Sequence, residues 1–353
     1  MVTCRELIDE VWRAVVTFLS WAFGLTMVLY LVLRFTIGDR VWAVALISNF
    51  AVCCFLPVLL LIPLGVITRS RSGLLVVLPL AAIGMLAFAP LALPRSIAPT
   101  EAQTLRIATF NVYQTNNRLD AVTAWLESTD ADIIFLQEAP EDYIHALEEQ
   151  FAADYPHRAS QPSPLRPWGN LLLARYPILG VDELDDNGDG APNTQQRYRL
   201  DMDGQTIAVY NIDLAFPIGP VRFQIPLFST ELNTLVAGYD DSLRDLQIER
   251  LITWLDEEPY PHIVAGDFNM NSSALIYNQL AARLNDAFAK AGSGFGGSWP
   301  VAVPGTFLPG FIPPLLRVDY IWYSDHFRAI EVHQGPRLGS DHLPLFAVLE
   351  TAP

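Results

Sequence analysis

The run His262-Ile263-Val264-Ala265-Gly266-Asp267-Phe268-Asn269 decides how the rest of the chain is read. Its first four residues form a short apolar stretch of the kind that fills a buried strand. It then turns at a glycine and ends in a carboxylate and an amide. Asp and Asn after a strand commonly make Asx turns or cap helices, so one such ending carries little information. The same device recurs along the chain, however. Thr109-Phe110-Asn111-Val112 and Phe135-Leu136-Gln137-Glu138 end apolar runs, Val318-Asp319-Tyr320-Ile321 opens one, and Gly339-Ser340-Asp341-His342-Leu343-Pro344 precedes the last. Five ordered strand ends with carboxylates, amides and one histidine point to polar groups delivered to a common cleft.

The intervening sequence alternates short strands with amphipathic helices. The patterning predicts strands at Leu105–Asn111, Ile133–Leu136, Leu171–Ala174, Ile207–Asn211, His262–Ala265, Val318–Tyr323, Ala329–His333 and Phe346–Leu349. Helices are predicted at Leu119–Ser128, Tyr143–Phe151, Ser242–Leu255 and Ser273–Ala282. That mixture predicts an α/β or α+β domain with two packed sheets and about eight to ten strands.

In order and context these motifs resemble the endonuclease/exonuclease/phosphatase superfamily of metal-dependent phosphoesterases, which includes DNase I, abasic-site endonucleases, sphingomyelinases and inositol-polyphosphate phosphatases. The resemblance runs from Leu105 to about Leu349. It includes Asn170-Leu171-Leu172-Leu173-Ala174-Arg175-Tyr176-Pro177-Ile178, Arg244 with Gln247 ahead of the Gly266-Asp267-Phe268-Asn269 turn, and Gly305-Thr306-Phe307 ahead of Arg317-Val318-Asp319. It implies an α+β four-layer α/β/β/α sandwich. It further implies that Glu138, with Asn111, ligates Mg²⁺ or Mn²⁺, as one ion or two, with Asp341 in the metal or water network. Asp267 would activate water, Asn269 would donate to phosphate, and Asp319 would orient His342 toward it. Arg244 and Asn211 would bind substrate. Hard cations of this kind prefer oxygen ligands and keep several waters.

One position departs from that pattern. Asn211-Ile212-Asp213-Leu214 has Asp213 where the superfamily usually carries a histidine, or in some members a tyrosine. Three readings are open: a ligand for a second metal, a carboxyl kept protonated beside other carboxylates, or a mark of weakened catalysis.

Ahead of Thr104 the chain has a different character. Residues 1–95 read as a membrane anchor, with uncharged runs at Ala14–Leu33, Val41–Thr68 and Ser72–Pro94. Each reaches the roughly 20 apolar residues that cross a bilayer core. Three spans (about 14–33, 41–68 and 72–94) are therefore expected, then a linker at 96–103 and the domain at 104–353. Flanking arginines divide evenly between the two sides. The Arg69-Ser70-Arg71 connector favours a cytoplasmic loop, which with three spans places the domain outside the cell membrane. Three spans and this domain resemble the membrane group that includes the teicoplanin-resistance protein VanJ, implying a cell-envelope substrate.

Charge narrows the substrate. The whole chain carries 22 basic and 38 acidic residues. Seven basic and five acidic ones precede Thr104, so the domain holds 15 and 33, a net of −18, and Lys290 is the only lysine. Nucleic-acid affinity relies on Lys and Arg neutralising phosphates, so a nuclease is disfavoured, although Arg158, Arg166, Arg175, Arg197, Arg199, Arg222 and Arg244 are numerous enough to converge. Two apolar stretches, Phe216–Phe228 and Leu308–Leu316, flank Asp213 and Asp319 instead. They suggest contact with the bilayer or a lipid-linked phosphoester or pyrophosphate. The competing class is a non-catalytic receptor for phosphorylated head groups. All three cysteines (Cys4, Cys53, Cys54) lie in the front end, so the domain has no disulfide framework, and the sequence leaves oligomeric state undetermined.

Overall fold

In the computed structural model the chain divides into two compact units near Pro94. The structure describes residues 4–93, 95, 97–162, 167–183, 195–303 and 310–352. The Gly305-Thr306-Phe307 motif, Leu308 and Arg166 lie outside the described residues.

The first unit is helical: α1 (Cys4–Thr36), a 3-10 turn at Gly38–Arg40, α2 (Trp42–Asn49), α3 (Ala51–Cys54), α4 (Pro57–Ile67) and α5 (Arg71–Ala92). Helices α1 and α5 are each long and apolar enough to cross a membrane. The middle run is not one straight span. Helix α2 and the helical stretch Ala51–Ile67 meet at 84°, which makes a broken span or a re-entrant loop. One local feature sits at the bend. Asn49 donates its side-chain amide back to the Ala45 carbonyl (3.2 Å), competing with the helical ladder at the bend. Farther on, Pro57 lacks an N–H and its ring excludes a helical carbonyl four residues back, so α3 and α4 are separate. Met27, Tyr30, Val44 and Leu80 pack together inside the unit, and so do Val58, Leu61 and Val77.

The second unit contains β1 (Thr104–Asn111), α6 (Leu119–Thr129), β2 (Ile133–Pro140), α7 (Glu141–Gln150), β3 (His157–Pro162), β4 (Trp168–Ala174), β5 (Ile178–Glu183), β6 (Gln195–Met202) and β7 (Gln205–Asp213). It continues with α8 (Thr230–Ala237), α9 (Ser242–Asp256), β8 (His262–Asp267), α10 (Leu275–Ala281), β9 (Asn285–Asp286), α11 (Ala287–Ala291), β10 (Asp319–Tyr323), β11 (Phe327–Gln334) and β12 (Leu345–Thr351). The strands form two six-stranded sheets, ordered β11-β12-β1-β2-β4-β3 and β5-β6-β7-β8-β10-β9. Every predicted strand is present. The extra ones are β3, β5, β6 and β9, of which β3, β5 and β9 are sheet edges. Edge strands bury less, so they lack the apolar run by which the others are recognised; β5, for instance, alternates half-buried with exposed positions.

Alternation along the strands builds the layers. Leu105, Ile107, Ile133, Phe135 and Leu172 face Leu200, Ile207, Val209, Ile263 and Ile321 across the space between the sheets. The intervening positions Ala108, Phe110, Ile134, Leu136 and Leu171 pack instead against Val122 and Leu126 of α6 and Ile144 and Leu147 of α7. Outside the second sheet, Tyr277 of α10 packs on Trp322 of β10, with ring centres 5.1 Å apart. The result is the expected α/β/β/α order. Residues 97–103, read from the sequence as linker, lie along this unit: the Thr100 N–H donates to Glu350 (2.7 Å) and the Thr351 N–H to the Gln103 carbonyl (3.0 Å).

Each sheet contains one parallel pair, and that fact places the site. Strands β1 and β2 run parallel and their register ends at Asn111 opposite Gln137. Strands β7 and β8 run parallel and end at Asp213 opposite Asp267. Carboxyl ends of parallel strands are where open sheets present ligands. Gly266 makes the second ending possible, because with φ at +140° an added Cβ would sit 1.9 Å from the Ile212 carbonyl oxygen of β7. Replacing it is therefore expected to cost about 3 kcal/mol or more. Thermal unfolding of full-length Gly266→Ala should show this as a clear drop in Tm. Gly310→Ala, where nothing lies within 4 Å, is the control expected to change Tm little.

Candidate active site

Three adjacent strand ends in the second sheet carry a row of carboxylates. Asp213 closes β7, Asp267 closes β8 beside it in parallel register, and Asp319 opens β10 opposite Asp267 in antiparallel register. All three are almost fully buried. From the first sheet come Asn111, at the end of β1, and Glu138, where a bulge interrupts the pairing of β2 with β4. The loop before β12 brings Asp341 and His342.

Hydrogen bonds join the two sheets' contributions. The Asn111 amide donates to Asp267 (3.0 Å) and to Glu138 (3.2 Å). The Asn269 backbone N–H donates to Asp267 (2.8 Å), and its side-chain amide donates to the Leu214 carbonyl (2.9 Å) and to Asp267 (3.3 Å). His342 Nδ1 lies 2.9 Å from Asp319 Oδ2, while Nε2 lies 3.6 Å from Asp267 Oδ2. The sequence-derived set Asn111, Glu138, Asp267, Asn269, Asp319 and His342 is thus brought together.

Burial governs the electrostatics. It pushes the Asp267 carboxyl up to about 7, with His342 opposing that rise and Asp319 adding to it. Burial likewise raises Glu138, against a hydrogen bond from Asn111. For His342 burial works against the charge, but Asp319 and Asp267 outweigh it and hold the imidazole protonated well above its usual range. Two of these backbones, Glu138 (φ +49°) and Asn269 (φ +46°), are in the left-handed region, and so is Tyr113 (φ +69°), whose N–H donates to Asn111 Oδ1. Such conformations cost energy in non-glycine residues and gather at functional sites.

The donor chemistry suits a small divalent cation. Asp267, Asp319 and His342 bring their polar atoms within 4.8 Å of one another, and with the imidazole protonated the carboxylates are the groups that could face a cation. The Asp319 Oδ1 and Asp341 Oδ1 atoms are buried and have no hydrogen-bond partner among the described residues. Buried oxygens short of donors, beside carboxyls raised by desolvation, are what a cation would relieve.

Two sequence-derived residues sit beneath the cleft. Arg244 is buried, pairing with Asp241 (3.1 Å) and Asp245 (2.6 Å) and donating to the Asn269 carbonyl (3.1 Å). It therefore supports the Asn269 turn from behind. Asn211 donates to the Leu136 and Leu171 carbonyls and accepts from the Gln137 amide (2.7 Å), tying the sheets together under the site.

Other supports were missed by sequence reasoning. Ser340 Oγ donates to the Asn111 carbonyl (2.7 Å) and accepts the His342 N–H (2.9 Å), while Ser298 Oγ accepts the N–H groups of Val318 and Asp319 (3.2 Å each). The Trp299 indole N–H donates to Asp341 Oδ2 (3.2 Å). Only Ser340 lay within a quoted motif; Ser298 and Trp299 stand in a glycine-rich loop with no pattern to single them out.

The sequence model of the Endonuclease/Exonuclease/phosphatase family matches residues 108–342, spanning the site from β1 to His342. Among curated proteins none matches the sequence. Similar solved structures include an endonuclease/exonuclease/phosphatase from Bacteroides vulgatus, at 16% identity and a TM-score of 0.52, over 71% of this chain and all of that one. Another is D. rerio TDP2 in complex with single-strand DNA product, at 16% identity and a TM-score of 0.53, over 70% of this chain and all of that one. At such identities the likeness concerns the fold, and the family match rests on the sequence itself. The chain belongs to the Endonuclease/Exonuclease/phosphatase family.

Proposed function

We propose that the domain is a divalent-metal-dependent phosphoesterase acting on a phosphate ester or pyrophosphate carried by a lipid. The observation that carries the hydrolytic reading is the buried Asp319–His342–Asp267 arrangement next to Asn111 and Glu138. Glu138, Asn111 and Asp341 would hold Mg²⁺ or Mn²⁺, which when bound would supply charge neutralisation at the phosphoryl oxygens. Asp319 fixes the ring of His342 through Nδ1, which leaves Nε2–H, beside Asp267, as the group to donate to phosphate. Asp267, a carboxyl whose proton affinity lies near neutrality, positions a water and accepts its proton. Asn111 and Asn269 hold Asp267 in place for that step. Asp213 extends the carboxylate row and serves as the ligand to which a second ion would bind.

The lipid-linked substrate is supported by the rim. Phe216 packs edge-to-face on Trp299 with ring centres 5.5 Å apart, and the Leu316 N–H donates to the Trp299 carbonyl (2.7 Å). The stretches 216–228 and 310–316 therefore meet at the residue that binds Asp341. Leu227 and Phe311 within them are almost wholly exposed. Membrane anchoring through the apolar helices, with the domain outside the cell as in the VanJ-containing group, would bring that rim a substrate from the bilayer. A nuclease is the second reading, kept because TDP2 is solved with DNA, but a net of −18 opposes it.

The deciding assay is Mg²⁺- or Mn²⁺-dependent phosphate release by the full-length protein from lipid phosphates, inositol phosphates and nucleic acid. Lipid phosphates should be turned over, and Glu138→Gln should reduce kcat by at least about 100-fold. Metal binding without turnover on any substrate would instead identify a head-group receptor.

Metal binding should also release protons, since a cation favours the ionised forms of Glu138 and Asp267. With the Asp267 carboxyl at about 7 in the metal-free protein, affinity should rise from pH 6 to 8 and level off above. Calorimetry in buffers of different ionisation enthalpy measures the proton count. A value of zero with flat affinity would contradict this charge assignment.

For the rim, Leu227→Ser combined with Phe311→Ser should raise the apparent KM for a vesicle-borne phospholipid about tenfold, equivalent to partial burial of two apolar side chains. An equal effect on a water-soluble phosphodiester would remove the rim from lipid recognition.

A further inference from the structure

Asp341 is the one proposed metal ligand that lies outside the strands altogether, in the loop before β12. Its carboxylate has two unlike oxygens. Oδ2 accepts the Trp299 indole N–H at 3.2 Å, and Oδ1 is buried with no hydrogen-bond partner among the described residues. Trp299 itself is fixed on three sides. Its N–H donates to the Leu316 carbonyl (3.0 Å), and its carbonyl accepts the N–H groups of Leu315 (3.1 Å) and Leu316 (2.7 Å). Its ring leans on Phe216. The neighbouring residues extend the tie: the Val301 N–H donates to the Asp341 carbonyl (2.7 Å), the Leu343 N–H donates to the Ser298 carbonyl (2.9 Å), and Ser298 Oγ accepts from the Asp319 N–H (3.2 Å). The segment 298–301 thus straps the loop of Asp341 and His342 to the strand of Asp319.

We infer that Trp299 is a positioning residue for the cation site, locking the Asp341 carboxylate so that Oδ1 is the oxygen left for the ion. The inference rests on the reading of Asp341 as a metal ligand. An indole suits this task physically. It is a donor only, so it can hold one carboxylate oxygen but cannot itself compete for the cation. It is also neutral, and leaves the full negative charge of Asp341 available. Without that donor the carboxylate would be free to rotate, and ordering it would be charged against metal binding. Partners in such an outer shell typically change metal affinity by about 10–100-fold.

The test uses the full-length protein in detergent, with Mn²⁺ alone as the probe. Trp299→Phe keeps an aromatic ring against Phe216 and removes the N–H. It should weaken Mn²⁺ binding about 10–100-fold by calorimetry, with the metal-free Tm close to that of the original protein. In an Asp341→Asn background the same change should add little, because the residue through which it acts is already altered. Unchanged Mn²⁺ affinity in folded Trp299→Phe, or an equal loss in both backgrounds, overturns the inference. If Trp299→Phe does not fold, the indole N–H resonance of the original protein decides: it should shift on adding Mg²⁺, and a resonance that ignores the ion overturns the proposal. Failure of the original protein to bind Mn²⁺ would instead remove the metal site itself, so the two ideas fail on different results.

Discussion

Desolvation of like charges is the constraint around which the second unit is organised. Asp213, Asp267 and Asp319 occupy neighbouring strand ends, where strands lie about 4.8 Å apart, and each is nearly removed from water. Carboxylates buried so closely cannot all be ionised without compensation. The fold supplies part of it: the Asn111 amide, the Asn269 backbone N–H and the imidazolium of His342 all face Asp267 or its neighbour Asp319. The remainder appears as the raised proton affinities of Asp267 and Glu138 and as two carboxylate oxygens that find no donor among the described residues. That residual imbalance is the strongest physical argument for a cation, because structural side chains alone would have been selected to close it.

Holding those groups in place has a backbone cost, and it is concentrated where the chain leaves the strands. Glu138 sits in a left-handed conformation at the bulge of β2, and Asn269 does so directly after β8. Asn tolerates that region through its short polar side chain; Glu does so less readily. The other turns use glycine. At Gly339, with φ of +90°, a Cβ would meet Asn116 Oδ1 at 2.5 Å, so the turn that presents Asp341 and His342 could not form around a larger residue. The amide tie between Gln137 and Asn211 lies directly below, and Arg244 braces the Asn269 carbonyl. Strain at the surface of the site is thus backed by hydrogen bonds beneath it.

The sequence exposed the elements that obey periodicity and the residues that violate it. The buried strands β1, β2, β4, β7, β8, β10 and β12 are built on mostly apolar runs, and the carboxylates and amides at their ends stand out against them. Edge strands β3 and β5 were not legible, since their stability comes from pairing with β4 and β6 and not from side-chain pattern. Sequence also could not say which polar residues face the cleft. Asn211 and Asp213 are two positions apart, and so share a face of β7, yet the first is an inter-sheet tie and the second ends in the carboxylate row. The long apolar run at 41–68 shows a different limit. Hydropathy measures whether a segment tolerates lipid; it does not register that the chain bends by 84° after Asn49.

The acidity of the domain and the apolar rim bear on one another through distance. A net of −18 repels phosphorylated molecules, but salt screens such repulsion beyond roughly 8 Å. Attraction must therefore be short-ranged, from the cation, from His342 and from apolar contact beside them. A few exposed side chains such as Leu227 and Phe311 give only weak binding by themselves. Under the proposed function, attachment to the bilayer that carries the substrate would change that requirement, because linkage raises the effective concentration to about the millimolar range without any new contact. Weak rim contacts then suffice, and they release product readily. On the proposed reading, an acidic surface costs the enzyme little for a partner in its own membrane and discriminates against soluble polyanions, nucleic acid among them.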